Sequence, residues 1–369
     1  MRIKKLQIKN FKSLVDFELE DLKPFCAFVG PNASGKSNIF EALEFTNYLI
    51  KYGSETPRFF GGTGTFYSYS PIRFQDKNVG LGLNDSLTFN YEFADFIRIY
   101  AVAHVLLDDK KQDVFPGLSS GGRTENMRGF LSIFQIRNPV DRAEFIQKWE
   151  EFGGRYDNDY EQFADNFTRI FIGKKYLNRT PSISTKLSPD GSNLSEVIGS
   201  IFESKSKRED FTEWLRLLIP EFSKIEIRKS NLDGSFEFFI YEKSHEKPFP
   251  INLISDGTYN ILTLMAAVYQ TDEPQFICIE EPENGLHPQA IELLVDFFRE
   301  KCEEEGHYIW LNTHSQTLVR CLEIDEIILV NKIDGSTRAK QLTKADEVNI
   351  KTDEAWLTNA LGGGVLWSK

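Results

Sequence analysis

The 369-residue chain is 41% hydrophobic, so it can form two domains or one large domain with an insertion. Its formal net charge of −12 argues against a surface that binds nucleic acid everywhere, although a local basic cleft stays compatible with it. The four cysteines form no C-x-x-C pair, and the charged N-terminus has no apolar region of the secretory kind. No apolar run approaches the roughly 18 residues that a membrane span requires. We therefore expect a reduced, cytoplasmic protein that does not associate with membranes.

The chain opens with two predicted strands joined by a short polar segment. Leu6 and Ile8 alternate with lysines over residues 2–9, and a second strand is predicted over residues 14–19. The joining segment contains Lys12, which the charge pattern alone would place on a solvated turn.

A phosphate-binding loop follows. A predicted strand over residues 24–29 and a predicted helix over residues 38–50 enclose a sequence that fits G-x-x-x-x-G-K-[ST]. Its two glycines allow a turn where a side chain would collide with phosphate, and backbone N–H groups and the helix N-terminus then face the anion. Lys36 is expected to contact the β- and γ-phosphates of a nucleotide, and the Ser37 hydroxyl to bind Mg²⁺. A chance glycine turn is the alternative, but strand, loop and helix occur in the required order. The predicted nucleotide contacts here are Gly30, Pro31, Asn32, Ala33, Ser34, Gly35, Lys36, Ser37 and Asn38.

The middle of the chain is less informative. Phe163, Phe167 and Ile170 recur at helical spacing, which predicts a packed helical face, and no sustained heptad pattern indicates a coiled-coil arm. We therefore expect a compact helical lobe. Strands are predicted over residues 86–93 and 97–107, an exposed loop over 108–124 and helical structure over 139–174.

For residues 187–241 the sequence predicts a turn, two helices and a hairpin, in that order. The turn Pro189-Asp190-Gly191-Ser192-Asn193-Leu194 precedes a helix through Phe202, with Ser192 or Asn193 as its cap. A basic run over residues 204–208 is followed at once by acidic residues, so it is expected to be solvated. A helix is predicted over residues 211–218, and a hairpin joins residues 225–227 to 236–241.

Three polar segments follow at the ends of apolar elements. Ser255-Asp256-Gly257 leads into an apolar helix over residues 261–269, where the serine could cap the helix or hold a phosphate. Glu280 and Glu281 end a buried strand over residues 276–279; they could serve a metal and a water, or lie on an exposed turn. His314 ends a further strand that begins at residue 309, where a lone histidine would usually be structural. Another strand is predicted over 324–330, and a short helix with a glycine stop over 355–365.

These motifs together resemble the ABC-type ATPases of the SMC, RecF and OLD families, over residues 1–50 and 250–330. Residues 8–13 are similar to the family motif I-x-N-F-[KR]-S, and "PDGSNL" is similar to a segment of a prokaryotic subgroup of AAA-type ATPases that are built like ABC heads. The resemblance implies an α/β P-loop head, with a mixed sheet, flanking helices, an antiparallel β lobe and a helical insertion. It divides the chain into residues 1–107, with the P-loop and β lobe; 108–222, the helical insertion or lid; 223–345, with signature, Walker B and switch histidine; and 346–369, the tail.

The resemblance also implies roles for single residues. Lys12 becomes a second phosphate contact, and Glu281 and His314 become the general base and the γ-phosphate contact. Glu280 takes the Mg²⁺ role, but the family usually has Asp there, so the longer side chain leaves direct metal contact open. The signature residues Ser255, Asp256 and Gly257 would hold the γ-phosphate of ATP that is bound by the opposite subunit. A magnesium-sensing glutamine is expected at Gln75 or Gln135.

The function that the resemblance implies is an ATP-hydrolysing head that dimerises around ATP and gates an effector. Stand-alone relatives occur beside nuclease or toxin partners in prokaryotic anti-phage systems. One alternative is a RecF-like repair ATPase that acts on DNA directly. Another is a scaffold or sensor that is clamped by ATP and barely turns it over.

Overall fold

The structure, a computed structural model, describes residues 3–52, 86–93, 98–107, 112–120, 165–172, 186–229, 236–346, 351–358 and 360–361. The chain divides into two compact units. The first comprises Met1–Lys23, Gly30–Phe167 and Ile328–Gln341, and the second comprises Pro24–Val29, Thr168–Ile327 and Leu342–Lys369.

An antiparallel sheet forms the first unit, with the strand order β2-β1-β4-β5-β6. Alternate apolar side chains of β1 and β2 are buried, and Phe45 of α1 packs on Phe11 with ring centroids 5.8 Å apart. The strands predicted over residues 2–9, 14–19, 86–93 and 97–107 are confirmed as β1, β2, β4 and β5. The elements are β1 (Ile3–Phe11), β2 (Leu14–Glu20), α1 (Lys36–Tyr52), β4 (Ser86–Phe93), β5 (Arg98–Leu107) and β6 (Gln112–Ser120).

The exposed loop predicted over residues 108–124 is wrong for its central part, because β6 pairs with β5 along its whole length. The polar, glycine-rich composition suggested a loop, but the segment also contains Pro116. A proline is tolerated in an edge strand, and β6 is the last strand of its sheet. The glycine and proline residues of β6 are therefore compatible with a strand at the edge of the sheet.

A hairpin completes the first unit. β13 (Ile327–Ile333) and β14 (Ser336–Gln341) are antiparallel and are joined by Asp334 and Gly335, both with positive φ, as a tight hairpin turn requires. The strand predicted from residue 324 starts at Ile327, because residues 324–326 form a 3-10 turn. The Thr337 N–H donates to the Ser13 carbonyl at 2.7 Å, which joins the hairpin to the β1–β2 turn.

Parallel strands form the core of the second unit, in the order β3-β12-β11-β7. Trp310 packs against Phe28 and Phe276, with centroid distances of 5.5 and 4.6 Å. Every residue of β3, β11 and β12 is buried, as expected for strands covered on both faces. The bounds are Phe25–Val29 for β3, Phe167–Phe171 for β7, Phe276–Glu280 for β11 and Tyr308–Thr313 for β12.

β7 corrects the sequence analysis, which predicted helical structure across residues 139–174. The stretch Phe-Thr-Arg-Ile-Phe is rich in aromatic and β-branched residues, and its apolar spacing fits both a helix and a buried strand. The remainder of that prediction falls largely outside the described residues, as do Gln75 and Gln135.

Helices and a small sheet pack around the parallel strands. Tyr269 lies between Phe211 and Phe297, with centroid distances of 5.4 and 5.9 Å. No helix in the described ranges is long and apolar enough to cross a membrane. The elements are α2 (Leu194–Ile201), α3 (Lys205–Leu218), β8 (Phe222–Lys229), β9 (Phe236–Glu242), β10 (Phe249–Pro250), α4 (Asp256–Tyr269), α5 (Pro288–Glu304), α6 (Gln316–Arg320) and α7 (Thr352–Leu357).

The cap predicted for α2 needs a correction. Asn193 occupies the N-cap position, but its side chain makes no capping hydrogen bond to the helix. Its Oδ1 accepts from the Ser188 N–H at 2.7 Å, and its Nδ2 donates to the Lys186 carbonyl at 2.8 Å. The side chain therefore closes the preceding turn.

Candidate nucleotide-binding and hydrolysis site

The phosphate-loop sequence forms a closed turn between β3 and α1. Ala33 and Gly35 have φ of 63° and 99°, which turns the chain back on itself. The buried Lys36 ammonium donates to the carbonyls of Gly30 at 2.7 Å and Pro31 at 2.8 Å. A cation thus lies at the base of a loop that leads into a helix N-terminus, and both features attract anions.

Both glycines of the motif are required by close contacts. A Cβ at Gly35 would lie 1.9 Å from Thr337 Oγ1, and a Cβ at Gly30 would lie 2.1 Å from the Val330 carbonyl oxygen. Gly35 also has a positive φ that other residues adopt at a cost. The loop is therefore pressed against the β13–β14 hairpin.

A hydroxyl network supports the loop from behind. Thr337 Oγ1 donates to the Ser34 carbonyl at 2.9 Å and lies 2.6 Å from Ser13 Oγ. Asn38 Nδ2 donates to Ser13 Oγ at 2.7 Å, so this predicted nucleotide contact braces the loop. Sequence reasoning missed Ser13 and Thr337. Ser13 was detectable as the last residue of the I-x-N-F-[KR]-S motif, whereas Thr337, 324 residues away, carried no local signal.

Lys12 lies in the β1–β2 turn with a φ of 49°. Its ammonium forms an ion pair with Glu41 on α1, and both side chains are largely buried. The solvated-turn alternative therefore does not describe it. A phosphate role for Lys12 stays a prediction.

The second unit contains the predicted carboxylates at the end of β11. Glu280 is 1% exposed, and both of its oxygens accept hydrogen bonds. Oε1 accepts from Arg169 Nε at 3.2 Å and Nη2 at 2.5 Å, and Oε2 accepts from Asn312 Nδ2 at 2.5 Å. A guanidinium therefore neutralises this buried carboxylate, and the Mg²⁺ role of Glu280 stays a prediction.

Glu281 and His314, the two predicted catalytic residues, lie together. Glu281 Oε1 is 3.4 Å from His314 Nδ1, and Oε2 accepts from Asn284 Nδ2 at 3.0 Å. The Glu281 N–H donates to the Asn312 carbonyl at 2.8 Å. Both side chains remain partly exposed, at 25% and 42%, so water can reach them.

Glu281 also has an unusual backbone. Its φ of 51° places it in the left-handed region. The other described non-glycine residues with a positive φ are Lys12, Asp21, Ala33 and Asp334. Such conformations cost roughly 1–3 kcal/mol and cluster at functional sites. The strain here directs the carboxylate out of the sheet end toward His314.

A third carboxylate, Glu283, was not identified from the sequence, although it belongs to the same Glu-Glu-Pro-Glu run. Its Oε1 accepts from Thr313 Oγ1 at 2.5 Å, and Thr313 Oγ1 accepts from the Ser315 N–H at 2.9 Å. Oε2 is buried and has no hydrogen-bond partner within the described part of the chain. Burial raises the pKa of Glu283 above its usual value, against the opposing effect of the Thr313 hydrogen bond.

The predicted signature residues form the start of α4. Ser255 is exposed and caps the helix, since its Oγ accepts from the Thr258 N–H at 3.1 Å. A Cβ at Gly257 would lie 2.7 Å from the Gly285 carbonyl oxygen, so the helix tip packs closely on the turn after β11. No group of three or more potential metal-ligating side chains occurs among the described residues.

Comparisons with known proteins agree with this architecture. A family model described as "AAA domain, putative AbiEii toxin, Type IV TA system" matches residues 25–320. The chain is 51% identical over 248 residues to the chromosome partition protein Smc of Methanocaldococcus jannaschii, covering 67% of this chain and only 18% of that protein. It is 19% identical over 368 residues to an ATP/GTP phosphatase of Helicobacter pylori, covering 94% of this chain and 93% of the relative.

A solved structure shares the fold. It is the Smc head domain with an extended coiled coil bound to the C-terminal domain of ScpA, from Pyrococcus furiosus. The TM-score is 0.53 at 15% identity, with 93% of this chain and 96% of that chain covered. Because the family model spans most of the sequence, the chain belongs to this AAA domain family and has the α/β fold of an SMC/ABC-type ATPase head.

Proposed function

We propose that this chain binds ATP at residues 30–37 and hydrolyses it, with Glu281 as the general base. The observation that carries the proposal is the Glu281–His314 pair at the end of a buried strand. A general base must be held within reach of its proton and oriented by a neighbour. Asn284 and His314 orient the carboxylate of Glu281, and its strained backbone keeps it at the strand end.

The phosphate loop supports the binding half of the proposal. Lys36 supplies the positive charge, and the backbone N–H groups between Gly30 and Ser37 supply neutral donors. The relative named ATP/GTP phosphatase supports a nucleoside triphosphate as substrate, so ATP and GTP should both be assayed.

Magnesium enters the proposal through Ser37 alone. Ser37 is an exposed residue in the first turn of α1, where its hydroxyl would hold Mg²⁺ beside bound phosphates. The ion would neutralise phosphate charge. Glu280 does not share this role, because Arg169 and Asn312 bind its carboxylate.

We infer that the working unit is a dimer. Ser255 and Asp256 are exposed at the N-terminus of α4, a position that suits a γ-phosphate from a second copy. A partner effector, a nuclease or a toxin, would respond to the nucleotide state of the dimer. The solved Smc head bound to a domain of ScpA supports partner binding by heads of this fold. Co-purification would identify the effector, whereas salt-dependent DNA binding by the isolated chain would favour the repair alternative.

The Glu281→Gln variant tests the catalytic proposal. The amide cannot accept the proton from water, so we expect turnover to fall by roughly 10²-fold or more while ATP remains bound. Glu273→Gln, at an exposed glutamate of the same unit, is the matched control and should keep wild-type turnover. Normal turnover by Glu281→Gln would contradict the assignment, and very slow turnover by the wild type with any partner present would favour the clamp alternative.

A further inference from the structure

A buried arginine lies beside Glu280, the carboxylate at the end of β11. Arg169, in the middle of β7, binds Glu280 Oε1 through both Nε and Nη2. The side chains of Arg169 and Glu280 are only 4% and 1% exposed. The guanidinium also lies 4.5 Å from the ring centroid of Phe171. This is a desolvated, two-donor ion pair.

Such a pair makes each partner depend on the other. Removing one member leaves a charge buried without compensation, which is strongly destabilising, whereas replacing both by apolar side chains is often tolerated. The pair also lies between neighbouring strands, since β7 is next to β11 in the sheet. It therefore holds the end of β11 at a fixed position.

The same contacts oppose a metal at Glu280. Mg²⁺ requires near-ideal octahedral oxygen coordination and gives up its waters reluctantly. An approaching cation would have to displace Arg169 or lie beside its positive charge in a medium of low dielectric constant. Both routes are unfavourable.

Asn312 extends the contact from Glu280 to the next residue. Its side chain donates to Glu280 Oε2 at 2.5 Å, while its backbone carbonyl accepts the Glu281 N–H at 2.8 Å. Through Asn312, the position of the Glu280 side chain therefore affects the left-handed backbone of Glu281, whose side chain lies next to His314. We propose that Arg169 and Glu280 form a positioning pair that holds Glu281 in place, and that Glu280 is not a magnesium ligand. This inference rests on the proposed function.

Thermal unfolding tests the pair itself. The variants are Arg169→Met, Glu280→Met and the double variant, with Arg320→Met at an exposed arginine as control. We expect each single variant to lower Tm clearly and the double variant to unfold above both singles. Additive losses in the double variant would overturn the pair. This readout needs no nucleotide, so it stays informative if the proposed function fails.

Metal binding tests the second half of the proposal. Mn²⁺ affinity is measured by electron paramagnetic resonance in the presence of a non-hydrolysable ATP analogue. We expect the double variant to stay close to wild type, and Ser37→Ala to lose affinity. A loss of about 10-fold or more in a double variant with recovered Tm would restore Glu280 as a ligand. Absence of analogue binding by the wild type would instead contradict the proposed function.

Steady-state kinetics separate positioning from mere stability. For Arg169→Met, assayed below its Tm, we expect kcat to fall by about 10-fold or more while KM for ATP stays near wild type, because only the base is displaced. A kcat equal to that of Arg320→Met would show that the pair is structural without positioning Glu281.

Discussion

Substitution of Gly35 by alanine measures how tightly the phosphate loop is pressed against its support. The new Cβ would lie 1.9 Å from Thr337 Oγ1 and 2.8 Å from Ser13 Oγ, at a φ of 99°. The left-handed backbone costs about 1–2 kcal/mol in a residue with a Cβ. Relief of the collision adds about 1–3 kcal/mol, as overpacking usually does. The expected loss in the free energy of unfolding is therefore about 2–5 kcal/mol.

Gly306→Ala supplies the matched control. Gly306 also has a positive φ, 70°, but within the described part of the chain its Cβ would meet only Pro274 Cγ, at 3.9 Å. It should lose only the backbone cost, about 1–2 kcal/mol. The difference between the two variants isolates the collision with the hairpin.

Urea titration gives both values, and Thr337→Ala refines them. That change removes the closest atom, so adding it to Gly35→Ala should cost less than the sum of the single losses. If Gly35→Ala lost no more unfolding free energy than Gly306→Ala, the close packing of the phosphate loop against the β13–β14 hairpin would be refuted.

Lys36, Glu283 and Ser255 give three further predictions. Lys36→Ala should remove most ATP affinity in calorimetry, while Lys344→Ala, at an exposed lysine, should not; unchanged affinity would refute the phosphate-loop assignment. The raised pKa of Glu283 means that its contribution to stability is present below about pH 4.5 and is lost as pH rises through the folded-state pKa. Glu283→Gln should therefore gain stability relative to wild type as the pH rises above about 4.5, measured by thermal unfolding, and a relative loss would contradict the pKa direction. Mixing Lys36→Ala with Ser255→Ala should restore at most about half of the activity per mixed dimer, because one composite site carries both lesions and the other neither; confirmed mixed dimers without rescue, alongside active dilute monomers, would leave Ser255 as a helix cap.

The parts predicted from sequence are those with local signals. The phosphate loop combines glycine spacing with a strand before it and a helix after it, and the structure has that order. The ends of β11 and β12 were predicted because their apolar runs give way to polar residues, at Glu280 and at Asn312. The roles of Glu281 and His314 came from the family resemblance, but their separation of 3.4 Å was not predicted, because no local pattern relates the two strands.

The parts missed depend on contacts between distant segments. The sequence does not predict β7, because Phe-Thr-Arg-Ile-Phe fits the spacing of both a helix and a strand, so nothing local pairs Arg169 with Glu280. Thr337 was not predicted because its role, a hydrogen bond to the Ser34 carbonyl, depends on the β13–β14 hairpin packing against the phosphate loop. Long-range pairing decided these roles, and it leaves no trace in composition.

The mass of Glu281→Gln in solution shows whether ATP joins two copies of the chain and whether Glu281 is the general base. With ATP present the variant should accumulate as a dimer, because the nucleotide can be bound between two copies but not hydrolysed. With ADP it should not. A Glu281→Gln variant that stays monomeric with saturating ATP, at concentrations where the wild type turns ATP over, would contradict the account.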